Sequence, residues 1–215
     1  MKKIFLILIT TISINLIAQE QSIGILSGVN FTNVTSKHST NFRTGFIGGI
    51  NYNVNFKNNY SFSMDILYSQ QGYIEKMEMI DETGHASGEY AIYKLHCNYF
   101  GIPLKFGYSY GNKLKYTPRV GIHTSIMPKA DLICPVFDSD GNIIGKETLT
   151  LTNKYKFDLS GLLELGVDFR LTENIGLLSL ITYSHSITTF LSKSSKMRLY
   201  GLSVSIGCKY IFTKN

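Results

Sequence analysis

Seven charged residues fall where the chain otherwise places small polar groups: Asp65, Lys105, Arg119, Glu164, Asp168, Arg170 and Lys209. Apolar residues flank them, as in Met64-Asp65-Ile66, Leu104-Lys105-Phe106 and Leu163-Glu164-Leu165. Alternate side chains of a strand point to opposite faces, so these charges share a face from which their greasy neighbours are excluded. If that face lines an interior, the three acids and four bases must neutralise one another. An isolated buried ion costs several kcal/mol. The chemistry expected is therefore pairing, an interior charge network of structural role that plugs the space it lines.

Reaction chemistry has thinner support. The five histidines, His38, His85, His96, His123 and His185, do not cluster in the sequence. His38 and His85 fall in expected loops, His123 on the face of Arg119, and His185 near a strand end. An acyl-transfer site needs a nucleophile, a base and an acidic orienter. Ser184-His185-Ser186 with Asp158 supplies the residue types but no nucleophile elbow, so the chain is read as not an enzyme, with no catalytic residue. Asp138-Ser139-Asp140-Gly141-Asn142 has the opening of a calcium loop, yet its twelfth position is Leu149 and not Glu. A turn is expected there instead. Cys97, Cys134 and Cys208 form no C-x-x-C pair or Cys/His cluster, which argues against a structural zinc site. A Cys97–Cys134 disulfide is allowed in an oxidising compartment, and nothing in the sequence requires it. No metal or cofactor site is predicted.

Strands must carry these side chains. Phe46, Gly48, Ile50, Tyr52, Val54 and Phe56 alternate with Ile47, Gly49, Asn51, Asn53 and Asn55, and Tyr60-Ser61-Phe62-Ser63-Met64-Asp65-Ile66 continues the pattern after a tight turn. Eight strands are predicted, at about 22–32, 43–56, 60–75, 90–108, 114–127, 154–171, 175–187 and 197–212. The seventh has an ambiguous parity, because Leu177, Leu178, Leu180 and Ile181 occupy both faces. Connections after strands two, four and six are short. Those after one, three, five and seven are long, at about 33–42, 76–89, 128–153 and 188–196. Short turns on one rim and long loops on the other are the asymmetry of an outer-membrane barrel.

The N-terminus fits export. Met1-Lys2-Lys3 precedes an apolar run from Ile4 to Ile17, and Ala18 before Gln19 offers a cleavage point. The run is shorter than the roughly 20 residues of a spanning helix. Residues 1–18 are thus predicted to be a signal peptide, and 19–215 a single outer-membrane β-barrel domain. The net charge of +6 comes without a basic run interleaved with aromatics, which argues against nucleic-acid binding. Aromatics gather beside the short turns, at Phe56 and Tyr60, Phe106 and Tyr108, Tyr116, Phe169, Tyr210 and Phe212, where an interfacial girdle belongs. A soluble up-and-down barrel would turn its apolar face inward, and the polar parity here carries more charge than such a cavity usually buries. The fold expected is all-β, an eight-stranded antiparallel up-and-down transmembrane β-barrel in a bacterial outer membrane.

With the strands placed, four stretches carry a family resemblance: Gly24-Ile25-Leu26-Ser27-Gly28-Val29-Asn30, Tyr99-Phe100-Gly101-Ile102-Pro103-Leu104-Lys105, Leu165-Gly166-Val167-Asp168-Phe169 and Gly207-Cys208-Lys209-Tyr210-Ile211-Phe212. They resemble the Bacteroidetes outer-membrane β-barrel family that includes the PorT-like proteins, and the similarity covers nearly the whole exported chain. The resemblance implies a part in protein secretion or gliding as one option. The residues themselves favour a structural or interaction barrel that contacts membrane lipids. Its long external loops 76–89 and 128–153 would bind another envelope or extracellular protein, since loops on a rigid scaffold are where binding usually resides. The alternative is a narrow channel or transporter for a small or hydrophobic solute.

Overall fold

The computed structural model describes residues 18–36, 40–80, 85–138, 141–152, 156–189 and 197–213. His38 and nearly all of the predicted signal peptide lie outside the described residues. Nine strands occur among them: β1 (Ala18–Val34), β2 (Thr40–Phe56), β3 (Tyr60–Ile80), β4 (Ala86–Tyr108), β5 (Leu114–Phe137), β6 (Ile143–Thr152), β7 (Lys156–Arg170), β8 (Ile175–Ser186) and β9 (Leu199–Thr213). Every pairing is antiparallel. The sheet runs β4-β3-β2-β1-β9-β8-β7-β5, with β6 beside β5, and the β4–β5 ladder closes it. β6 and β7 pair with successive stretches of β5, Ala130–Phe137 and Leu114–Met127. They share one place in the ring, which therefore has eight.

The distribution of exposure is inverted relative to a soluble protein. Ile25, Ile66 and Ile206 are 69%, 59% and 68% exposed, whereas Asp65 and Lys105 are 2% and 1% exposed. Water would penalise such an outer surface; hydrocarbon does not. Aromatics ring both ends of the apolar band. At the short-turn rim Tyr60 stacks on Phe106 at 5.6 Å and Tyr210 meets Phe212 at 5.2 Å. At the far end Tyr68 meets Phe100 at 5.2 Å and Phe42 meets Tyr200 at 5.7 Å. These are the two interfacial girdles expected of a spanning barrel.

Tight backbone geometry makes the short rim. Asn59 adopts a left-handed φ of 64° and its N–H returns to the Phe56 carbonyl at 3.1 Å, turning β2 into β3. Within the wall, a Cβ on Gly101 would lie 2.1 Å from His123 Nε2, so glycine lets the β5 imidazole cross the face of β4.

Two of the expected long loops are corrected. Strands β3 and β4 pair as far as Ile80↔Ala86, so most of 76–89 is hairpin. The 128–153 segment is likewise a ribbon, β5 continuing to Phe137 and β6 returning from Ile143. Both hairpins rise beyond the outer girdle, where a strand has no lipid to face and needs no alternation. The periodicity fades there while the pairing continues.

Candidate functional site in the barrel lumen

The inward side chains form layers. At the centre, Lys105 on β4 donates to Asp65 Oδ2 on β3 at 2.6 Å and to Glu164 Oε2 on β7 at 2.8 Å. Arg119, directly opposite Glu164 in the β5–β7 register, donates to Glu164 Oε1 at 2.9 Å and to Asn53 Oδ1 at 3.3 Å. Asn51 Nδ2 donates to Asp65 Oδ1 at 2.5 Å, and Thr182 Oγ1 on β8 to Glu164 Oε2 at 2.9 Å. Six strands, β2, β3, β4, β5, β7 and β8, are thereby tied across the lumen. The two acids and two bases balance, and each acid oxygen has a donor, as buried ions require.

Of the seven charged residues singled out in the sequence, these four meet in one network. Asp168 and Lys209 form a separate pair at 2.7 Å, nearer the short-turn rim. Arg170 sits at the rim itself with its side chain about a third exposed, and pairs with Glu20. Glu20 also holds Lys115 at 3.4 Å. Burial alone would raise the Glu20 pKa, but the Lys115 and Arg170 charges outweigh it and hold the carboxyl below its ordinary value. Glu20, Lys115 and Thr182 escaped the sequence reading, which puts Asn51 and Asn53 on the polar face but not in the network. Glu20 precedes the first clear alternation, and neutral amides and hydroxyls look alike on any polar parity.

Toward the outer end the lumen holds an apolar cluster. Val34, Leu95, Cys97, Tyr99, Met127, Ala130 and Leu199 are buried together, with Tyr73, Leu132 and Met197 packed on them. A smaller group is Leu26, Leu67, Leu178 and Leu180; Leu26, Leu67 and Leu180 share with Asp65, Lys105 and Glu164 the walls of a cavity of about 50 Å³. Small-molecule sites run to roughly 300–1,000 Å³. The larger space, about 760 Å³, is the open mouth of the short-turn rim, lined by residues including Glu20, Asn59, Lys113, Lys115 and Arg170.

A family model described as "Outer membrane protein beta-barrel domain" matches residues 17–192. The chain belongs to that family. The barrel is accordingly one of the bacterial outer membrane, with lipid against its apolar band. Its fold is similar to that of a major outer membrane protein from Thermus thermophilus, at 11% identity and a TM-score of 0.51, covering 89% of this chain and 99% of that one. Ail, the attachment invasion locus protein of Yersinia pestis, aligns at 14% identity and 0.46, covering 91% and 99%. Neisserial surface protein A aligns at 13% and 0.42, covering 86% and 95%. No curated protein matches the chain.

Within this family barrel the remaining candidates find places. Ser186 Oγ lies 2.9 Å from both Asp158 oxygens, and Ser160 donates to Asp158 at 2.8 Å. His185 projects from the opposite face of β8, stacking on Tyr200, so serine, histidine and acid are not brought together. Asp138 accepts from the Asn142 backbone N–H at 2.8 Å across a turn in which Gly141 has φ +83°; Ser139 and Asp140 lie outside the described residues. All three cysteines are free, so Cys97 and Cys134 are not bridged. Burial pushes the Cys97 thiol, above the apolar band, up to about 12.

Proposed function

We propose that the protein is a closed scaffold of the outer membrane, a structural or interaction barrel whose plugged lumen passes no solute and whose external hairpins bind another envelope or extracellular protein. The observation that carries this reading is the double obstruction of the lumen. With Asn51, Asn53 and Thr182 the Asp65–Lys105–Glu164–Arg119 network ties six strands across it, and the apolar cluster around Leu95 and Met127 lies at the outer end. On this reading the protein catalyses no reaction. It reaches the membrane after cleavage of residues 1–18, and the seven interior charges serve assembly and stability. The PorT-like resemblance adds a component of a secretion or gliding apparatus as one option for that partner.

The hairpin of β5 and β6 is the stronger binding surface. Val136, Ile143 and Ile144 extend beyond the lipid belt, where a purely solvated loop would not need apolar groups. Deleting 132–148 leaves intact the Leu114–Met127 stretch of β5 that pairs with β7. The shortened protein is expected to keep the heat-modifiable gel mobility of a folded barrel while losing its neighbour in crosslinking of native envelopes. Loss of folding, or retention of the neighbour, would contradict the assignment. Liposome swelling on reconstitution of the intact protein would favour the channel reading instead.

A further inference from the structure

Closing a barrel removes free sheet edges from the membrane, yet beyond the outer girdle the described strands leave several, and β6 is the one unpaired on one side along its whole length. β5 is paired on both sides along Arg119–Ile126, by β4 and β7, and from Ala130 upward it pairs with β6. Among the described residues β6 pairs with nothing else. β8 covers β7 as far as Ser160↔Ser186, and Ile187 and Thr188 still reach the Leu159 carbonyl, so among the described residues this line stops below the level where β6 begins. Ile143–Thr152 thus carries a row of backbone donors and acceptors that no described strand meets. Natural edges are blunted by proline, lysine, bulges or brevity. Here the devices are few, irregular register near the two ends of the ladder and Lys146, and Thr148-Leu149-Thr150-Leu151-Thr152 contains no charge or proline. Ile143, Ile144, Leu149 and Leu151 all stand exposed outside the apolar band.

We infer that β6 is a docking edge for an extended segment of another polypeptide, which adds as a strand along the side of β6 away from β5. The inference rests on the proposed role of the 128–153 hairpin and names the kind of partner it takes. Backbone hydrogen bonds supply the affinity and alternate side chains the specificity. Opposed like charges destabilise a strand pair and opposed unlike charges support it. The matching segment therefore carries an acid opposite Lys146, a base opposite Glu147, and apolar or β-branched residues at both flanks.

The test uses the full barrel in detergent and a synthetic ten-residue peptide of that pattern. Binding is read by fluorescence anisotropy and by amide hydrogen exchange across 143–152. Saturable binding is expected, with exchange in 143–152 slowed about tenfold or more, and with binding lost when the peptide's edge-facing amides are N-methylated. Successive N–H groups in a strand point to opposite edges, so one of Thr148→Pro and Leu149→Pro removes a free-edge donor without touching the β5 ladder. That variant keeps the folded gel mobility and loses the peptide. No binding, or equal binding of the N-methylated peptide, would overturn the docking edge. So would slow exchange of 143–152 before peptide is added, which would mean that a second copy or this chain already covers the strand. A native-envelope neighbour lost on deleting 132–148 but kept by both proline variants sinks the edge alone. A neighbour kept after the deletion sinks the hairpin reading as well.

Discussion

The centre and the outer end of the lumen are packed by different physics. The central layer is ionic: four charges from β3, β4, β5 and β7, all nearly inaccessible, neutralise one another over distances of 2.6 to 2.9 Å. The outer layer is a small hydrophobic core like that of a soluble domain, built on Leu95, Cys97, Tyr99 and Met127. An ionic layer fails abruptly when one member is removed, because the partner is left charged and dry. An apolar layer fails gradually, because neighbours relax into the space. The contrast explains why the acids and bases balance in number while the outer residues only need to fill volume.

The largest effect separating the two layers is expected from Lys105→Met. It strands Asp65 and Glu164 without their shared cation and should destabilise the barrel by about 3–5 kcal/mol, read from urea unfolding followed by gel mobility. A loss below about 1 kcal/mol would mean that the charges are solvated. Leu95→Ala probes the outer layer and should cost about 2–3 kcal/mol, toward the lower part of the range for buried leucine because the layer adjoins the rim and can relax. The central ion pairs should survive that change.

A third, smaller effect is expected at the short-turn rim. The folded Glu20 carboxyl titrates below its unfolded value, so its contribution is present above an ordinary carboxylate pKa of about 4 and is lost as pH falls through the lowered folded value. Amide exchange at the start of β1 should therefore accelerate below about pH 4, and Glu20→Gln should flatten that dependence. Unchanged acid sensitivity in the variant would show that another carboxylate governs the rim. The mildest probe is chemical. At neutral pH Cys97, buried and with its thiol pKa raised to about 12, should resist a maleimide that labels Cys134 on the partly exposed ribbon, and should react only after unfolding.

The alternation in 43–56 and 60–75 was enough to infer a ring of strands, because one face must meet lipid along the whole spanning length. Where that pressure ends, so does the legibility. The upper halves of β3, β4 and β5 and all of β6 read as loops, since Glu75, Lys76 and Glu78 break the pattern while the ladder continues. The parity of β8 stayed ambiguous because the lumen is not uniformly polar: Leu178 and Leu180 are 4% and 3% exposed and face inward, opposite Leu177 and Ile181. The charged members of the lumen could be found by type and parity. Their grouping could not, because it depends on strand stagger, which carries Arg170 to the rim with Glu20 and leaves Lys105 midway between two acids.

Current through purified protein in planar bilayers tests the closed lumen most directly. With the charge network and the apolar layer both in place, no large, stable conductance is expected at neutral pH. Large, stable openings of the unmodified barrel would contradict a closed lumen and favour a conduit in its place.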